Sequence, residues 1–128
     1  MASVSARRNA AVLRARGRAT RAVTSERRAA AQAARRVRTG PRSLVTHVIA
    51  LGVDRDTVKG ASNALRKVAK EIGMRGRRAR IRRTFDGVKN RVGNVYRYTR
   101  AQVAAIAEAY KPRKAEYKAV RAALIAAA

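Results

Sequence analysis

The hydrophobic residues that follow Ser43 recur at helical spacing in two consecutive runs. In the first run, SLVTHVIAL, one helical face collects Leu44, Val45, Val48, Ile49 and Leu51. Ser43 is a suitable N-cap for this run, and Gly52 ends it. The second run, capped by Asp54, places on one face Val58, Ala61, Leu65, Val68 and Ile72. The pattern predicts two amphipathic helices joined by a short turn, with Gly73 as the C-cap of the second.

Between Arg75 and Tyr98 the helical spacing disappears. The run RGRRARIRRTF interleaves arginines with Ala79 and Ile81, and the run VYRYT alternates between two faces of a strand. The intervening DGVKNRVGN is rich in turn-forming pairs such as Asp-Gly and Gly-Asn. Two short β-prone runs around a polar loop predict a β-hairpin.

The last third of the chain returns to helical spacing. Thr99 and Gln102 have the spacing of a capping box. The helix that they begin carries on one face Val103, Ile106, Ala107 and Tyr110. After Pro112, a C-terminal helix has an apolar stripe formed by Tyr117, Val120 and Leu124. Two interpretations of this stripe stay open: a homodimer interface, or packing back onto the domain.

The first 42 residues have a different composition. They contain twelve arginines, no lysine and one acidic residue, Glu26, among many alanines. Alanine and arginine favour helices, but large apolar side chains are too sparse to offset the entropy cost of ordering. We therefore expect residues 1–42 to form a basic arm, helical or disordered, that frays when free and orders when its charge is neutralised. A domain over residues 43–110 and a C-terminal helix over residues 111–128 follow it.

The net charge of the chain indicates what kind of partner it binds. With 32 basic and 7 acidic side chains the chain carries a formal charge of +25. Self-repulsion opposes folding at such a charge, which points to an anionic partner: DNA, RNA or an anionic membrane surface. No apolar run approaches the ~20 residues that span a bilayer, and a secretory apolar segment is missing. We expect no membrane partner and a cytoplasmic, nucleoid-associated location.

Several classes of chemistry are disfavoured by the residue inventory. The chain has no cysteine, and its single histidine, His47, cannot assemble a histidine-rich metal site. The acidic residues are few and scattered, and most suit helix caps. No phosphate-binding loop or nucleophile motif is present. We therefore expect no enzyme activity, no metal and no cofactor.

The segment from Leu44 to Asn63 resembles the helix-turn-helix family. That family's pattern has a packed residue on the first helix, a glycine four positions later and an apolar residue six after that. Val48, Gly52 and Val58 occupy these positions. With the hairpin as a wing, the resemblance implies a mainly α, winged helix-turn-helix domain. Two residues depart from the pattern, because Gly60 lies inside the second helix and Val48 replaces a smaller alanine.

The resemblance also implies which side chains would contact DNA, because the second helix of such a pair enters the major groove. Its outward residues would be Arg55, Thr57, Lys59, Ser62 and Asn63. Asn63 suits adenine, and Arg55 suits guanine or phosphate. Arg66 and Lys67 would contact phosphates. The hairpin arginines that would contact DNA are Arg75, Arg77, Arg78, Arg80, Arg82 and Arg83. Strand alternation would put Arg78, Arg80 and Arg82 on one side, where they suit a phosphate backbone or a minor groove.

The sequence thus predicts a regulator or architectural factor that binds double-stranded DNA with sequence preference. The helix-turn-helix would lie in the major groove, and the basic wing and arm would contact the phosphate backbone. The chain has Ala/Arg-rich helices, a helix-turn-helix and then a VYRYT strand before a further helix. In these general features it is similar to small regulators of actinobacterial phages and mobile elements. Three other classes stay open. They are a nonspecific nucleoid-compacting protein, a virion protein that touches the genome, and an RNA- or ribosome-binding protein.

Overall fold

The computed structural model describes residues 3–85 and 87–128, and the side chains of residues 83–85 and 88 lie outside that description. The described elements follow in the order α1 (Val4–Thr39), α2 (Leu44–Ile49), α3 (Arg55–Glu71), β1 (Arg77–Phe85), β2 (Val88–Arg97), α4 (Arg100–Ala109) and α5 (Ala115–Ala126). The protein is therefore mainly helical with one two-stranded antiparallel hairpin, which confirms the predicted fold class at that level.

Local sequence signals set the starts of three helices. The Ser43 side chain accepts a hydrogen bond from the Thr46 amide at the start of α2. Asp54 does the same for the Thr57 amide at the start of α3. At α4 a full capping box forms, in which the Thr99 hydroxyl accepts from the Gln102 amide and the Gln102 side chain accepts from the Thr99 amide. Such caps satisfy amides that have no partner within the helix, and each contributes about 1 kcal/mol.

The hydrophobic core lies between α2, α3, α4 and α5. Its largest fully buried apolar side chains are Val48, Leu65, Val103, Ile106 and Val120. Burying a side chain of this size contributes about 1.5–3 kcal/mol. Val120 and Leu124 of α5 belong to this core, and Tyr117 packs against it. Of the two interpretations of that stripe, the structure shows packing back onto the domain, because the chain's own helices cover Val120 and Leu124, and it gives the homodimer no support.

Helix α1 is continuous over 36 residues, but only its C-terminal part packs on the domain. Ala33 is buried, and Ala30, Ala34 and Val37 are partly buried. Further towards the N-terminus even the large apolar residues, among them Val12 and Leu13, are exposed. The arm thus consists of a packed C-terminal part and a solvent-exposed N-terminal part.

The hairpin differs from the sequence prediction in the length of its loop. β2 begins at Val88, which pairs with Phe85, so the segment that was expected to be a polar loop is mostly strand. Gly87 takes a positive φ of 77° in the turn, and Asp86 lies outside the described residues. Between the pairs Phe85–Val88 and Arg83–Arg91, β2 has one residue more than β1. Asn90 lies at this bulge in a left-handed backbone conformation, with φ of 59°. Asparagine tolerates this conformation better than most residues.

The base of the hairpin is attached to the helical core through Tyr98. Its backbone pairs with that of Arg42 in an isolated antiparallel bridge, with hydrogen bonds of 2.9 and 2.7 Å. The same Tyr98 carbonyl accepts a hydrogen bond of 2.8 Å from the Nε2 of His47, which is buried in α2. Because a carbonyl can only accept, Nε2 carries the proton. These bonds fix where the hairpin leaves the domain.

Candidate nucleic-acid interface

One face of α3 is polar, basic and exposed. It presents Lys59, Asn63, Arg66, Lys67 and Lys70, which recur at intervals of three or four residues. Within this face the Arg66 Nη1 donates to the Asn63 Oδ1 at 3.2 Å. The predicted contacts Lys59, Asn63, Arg66 and Lys67 are therefore all accessible.

Two other predicted contacts on α3 do not face outward. Thr57 is 4% exposed and Ser62 is 2% exposed, so the expectation that both point to a partner is wrong. The Thr57 hydroxyl instead donates to the Asp54 Oδ1 at 2.6 Å. This bond, together with the one from the Thr57 amide, holds the pKa of Asp54 below its usual value. The physical reason is the width of the buried face of α3, since α2, α4 and α5 all pack against it.

The hairpin arginines divide between two faces. Residues that are paired directly across the strands share a face, and the pairs Arg78–Tyr96 and Arg80–Asn94 lie on the same one, with Arg82 next along it. Arg78, Arg80 and Arg82 are exposed, so the predicted one-sided placement of these three is confirmed. We call this side of the hairpin the arginine face.

The remaining hairpin arginines lie elsewhere. Arg77 is exposed and occupies the opposite face, directly across from Arg97. Arg75 is exposed in the segment before β1. The backbone of Arg83 pairs with Arg91, and the side chain of Arg83 lies outside the described residues.

A groove connects α3 to the arginine face. It is lined by Arg66 of α3, by Asn94 and Tyr96 of β2, and by Ser43 and Thr46 at the start of α2. The two hydroxyls, Ser43 Oγ and Thr46 Oγ1, are 3.0 Å apart. Tyr96 is 45% exposed at this position. The sequence alone does not single out Tyr96 and Asn94, because only the strand register shows that both share a side with the arginines.

Arg55, the other predicted base contact, lies at a different groove. That groove runs between α1 and the turn that joins α2 to α3, and Val23, Glu26 and Val53 also line it. Arg55 is exposed there, at the N-terminal end of α3. The structure therefore does not bring Arg55 together with Asn94 and Tyr96.

The electrostatics of the hairpin favour an anion. From Arg75 to Tyr98 the sequence has nine basic residues and one acidic residue, Asp86. Arg77 faces Arg97 directly across the strands, and like charges in that position destabilise a hairpin. A bound polyanion would relieve this repulsion.

Other partners gain no support from the described residues. Among the helices that the structure describes, none is long and apolar enough to cross a membrane. Within the same residues, no group of three or more acidic or histidine side chains is placed to hold a metal ion. In comparisons with known proteins, no family model, no curated protein and no solved structure matches the chain. Its function must be inferred from its own residues.

Proposed function

We propose that the chain binds double-stranded DNA through the exposed face of α3 and the arginine face of the hairpin, in the manner of a winged helix-turn-helix. The observation that carries this proposal is the shared groove, in which Arg66 lies beside Asn94 and Tyr96. It brings together a helix that fits a major groove and a basic hairpin that fits the flanking backbone or minor groove.

The shape of α3 favours DNA over RNA as the partner. The major groove of B-form DNA admits an α-helix, whereas that of A-form RNA is too deep and narrow. At 17 residues α3 is about 25 Å long, and its basic face is accessible along much of that length.

Asn63 is the best candidate for base recognition. An asparagine amide can pair with adenine by accepting and donating one hydrogen bond each. Arg66 donates to the Asn63 oxygen, which orients the amide, and that oxygen still has a second lone pair for a base. Lys59 and Lys67 flank Asn63 on the exposed face and suit phosphates.

In this proposal the chain acts by binding alone, without a cofactor, as a regulator or architectural factor at the nucleoid. Phosphate contacts from the arginine face would supply affinity, and α3 would supply sequence preference. The two strands, of 9 and 10 residues, carry basic side chains along the hairpin, which supports its role as a wing in this proposal.

The test is a selection of bound sequences from a random duplex pool, followed by Asn63→Ala. Against the selected site, we expect the variant to lose about 1–3 kcal/mol of discrimination, while its binding to unrelated duplexes stays nearly unchanged. Asn9→Ala, at an exposed asparagine of α1, is the matched control. It should change neither the discrimination at the selected site nor the binding to unrelated duplexes. Equal loss on all sequences, or preferential binding of structured RNA at matched salt, would contradict the proposal.

A further inference from the structure

Helix α1 carries a column of arginines at strict seven-residue spacing. Its members are Arg7, Arg14, Arg21, Arg28 and Arg35, and all five are exposed. Seven residues are nearly two helical turns, so the five guanidinium groups follow one side of the helix over about 42 Å. The column drifts by about 20° per heptad, which keeps it within one broad face. We call this set the arginine column.

The arginine column faces away from the domain. Ala30 and Ala33, which pack towards the core, lie about 140–160° around the helix from Arg28. Ala33 likewise lies about 160° around the helix from Arg35. α1 and α3 each pack against α2. None of the column residues lines the groove beside Arg66, so the column and the groove are distinct surfaces of one molecule.

The surface between two column members has the chemistry of a phosphate site. A shallow depression there is lined by Arg21 and Arg28, with Thr20, Thr24 and Ser25 between them. The Thr24 hydroxyl already donates to the Thr20 carbonyl at 2.9 Å, so the guanidinium groups are the main donors that this depression offers a phosphate. Arginine guanidinium groups are among the side-chain groups that most often contact nucleic-acid phosphates.

We infer that the arginine column is a second, sequence-independent site for the phosphate backbone of duplex DNA, so that one molecule bridges two duplex segments. This inference rests on the proposed function, because the first duplex occupies α3 and the arginine face. A seven-residue repeat of charge suits a regular polyanion, and contacts to phosphates carry no sequence information, which suits binding to any duplex. Bridging adds a DNA-organising role to local recognition.

A capture assay tests the inference with the full-length chain. One short duplex is immobilised on beads, and a second, fluorescent duplex is retained only when protein holds both. The column variant combines Arg14→Gln, Arg21→Gln and Arg28→Gln. We expect it to reduce capture of the second duplex about tenfold or more, because three phosphate contacts are lost. Its binding to the immobilised duplex should fall much less.

A matched variant controls for charge alone. It combines Arg8→Gln, Arg16→Gln and Arg27→Gln, which removes three exposed arginines of the same helix outside the column. Glutamine keeps helix propensity, and circular dichroism verifies that both variants retain α1. We expect the control to capture the second duplex within about twofold of the native chain, since contacts outside the column leave the phosphate count unchanged.

Two results would overturn the inference. An equal loss of second-duplex capture in the column variant and the control variant would show that capture depends only on the total charge of α1. Full capture by the column variant would show that bridging takes another route, such as a dimer with two copies of the groove.

Failure of the proposed function gives a different pattern. If the proposed function is wrong, a variant with Arg78→Gln, Arg80→Gln and Arg82→Gln will bind a single duplex with native affinity. The column variant will instead bind a single duplex more weakly than the native chain. The bridging inference would fail as well in that case, and the column would be the chain's DNA site. If the inference alone fails, the hairpin variant is defective and the column variant captures normally.

Discussion

The ring of Tyr117 in α5 lies against the backbone of Gly60 in α3, in the space that a Cβ atom at residue 60 would occupy. This relationship explains why a glycine interrupts α3, where it costs about 1 kcal/mol relative to alanine. The close approach lets α5 pack along α3 and contribute Val120 and Leu124 to the core. Gly60 departs from the helix-turn-helix pattern for a reason of packing.

We expect Gly60→Ala to destabilise the protein. The added methyl group would overlap the Tyr117 hydroxyl and force the ring out of place, at a cost of about 1–3 kcal/mol that exceeds the gain in helix propensity. Urea unfolding followed by circular dichroism measures the change. In a chain that already carries Tyr117→Ala, Gly60→Ala should not lower the free energy of unfolding further, because the alanine at residue 60 then meets no ring.

Gly17→Ala is the control for helix propensity. Gly17 lies inside α1, and a Cβ there would meet only the Arg21 Nη1 at 3.9 Å. This substitution should stabilise α1 by about 0.5–1 kcal/mol. A Gly60→Ala variant as stable as the native chain would contradict the packing of Tyr117 on α3.

His47 should make stability depend on pH. Burial lowers the pKa of His47 below its usual value of 6.5, against the opposing effect of hydrogen bonds with the backbone of Tyr98 and Arg42, and the nearby Arg100 charge lowers it further. Because the unfolded chain then binds the proton more tightly than the folded one, the free energy of unfolding falls as the pH drops below about 6.5. Above that pH the contribution is fully present.

Urea unfolding at a series of pH values from about 7.5 to 5 measures this dependence, which spans the usual histidine pKa. His47→Gln should flatten the dependence, since its amide can still donate to the Tyr98 carbonyl but does not titrate in this range. An unchanged slope in the variant would assign the pH dependence to other groups.

Thr57 should matter for stability and not for DNA recognition. Thr57→Val keeps the shape of the side chain but removes the 2.6 Å hydrogen bond to Asp54 at the start of α3. We expect a lower melting temperature and an unchanged ratio of specific to nonspecific DNA affinity. A variant that folds normally but loses sequence preference would show that Thr57 reaches the DNA after all.

The arginine face should determine the salt dependence of binding to a single duplex. Native affinity should fall steeply between 50 and 200 mM salt, and the variant with Arg78→Gln, Arg80→Gln and Arg82→Gln should lower the slope of log affinity against log salt by up to about 2.7. Fluorescence anisotropy at several salt concentrations measures this slope.

The control for the arginine face removes the same charge from α5 and the segment before it. It combines Arg113→Gln, Lys114→Gln and Lys118→Gln, all at exposed positions. We expect this variant to retain the native slope. Equal slopes for the two variants would indicate that binding depends on net charge rather than on the hairpin.

Local sequence determined where α2, α3 and α4 begin and that a hairpin follows α3. The caps at Ser43, Asp54 and Thr99 act within three residues of themselves, and the apolar spacing of the helices is a property of each segment alone. For this reason the fold class and the accessible face with Lys59, Asn63 and Lys67 could be predicted.

Tertiary structure decided what depends on residues far apart in the chain. Several residue pairs could form the hairpin turn, and the pairing of Phe85 with Val88 selects one of them. The packing of α4 and α5 buries Thr57 and Ser62, which the spacing of α3 alone left exposed. The groove that joins Arg66 to Tyr96 depends on the register of β2 and on the attachment of Tyr98 to α2, because both are long-range contacts.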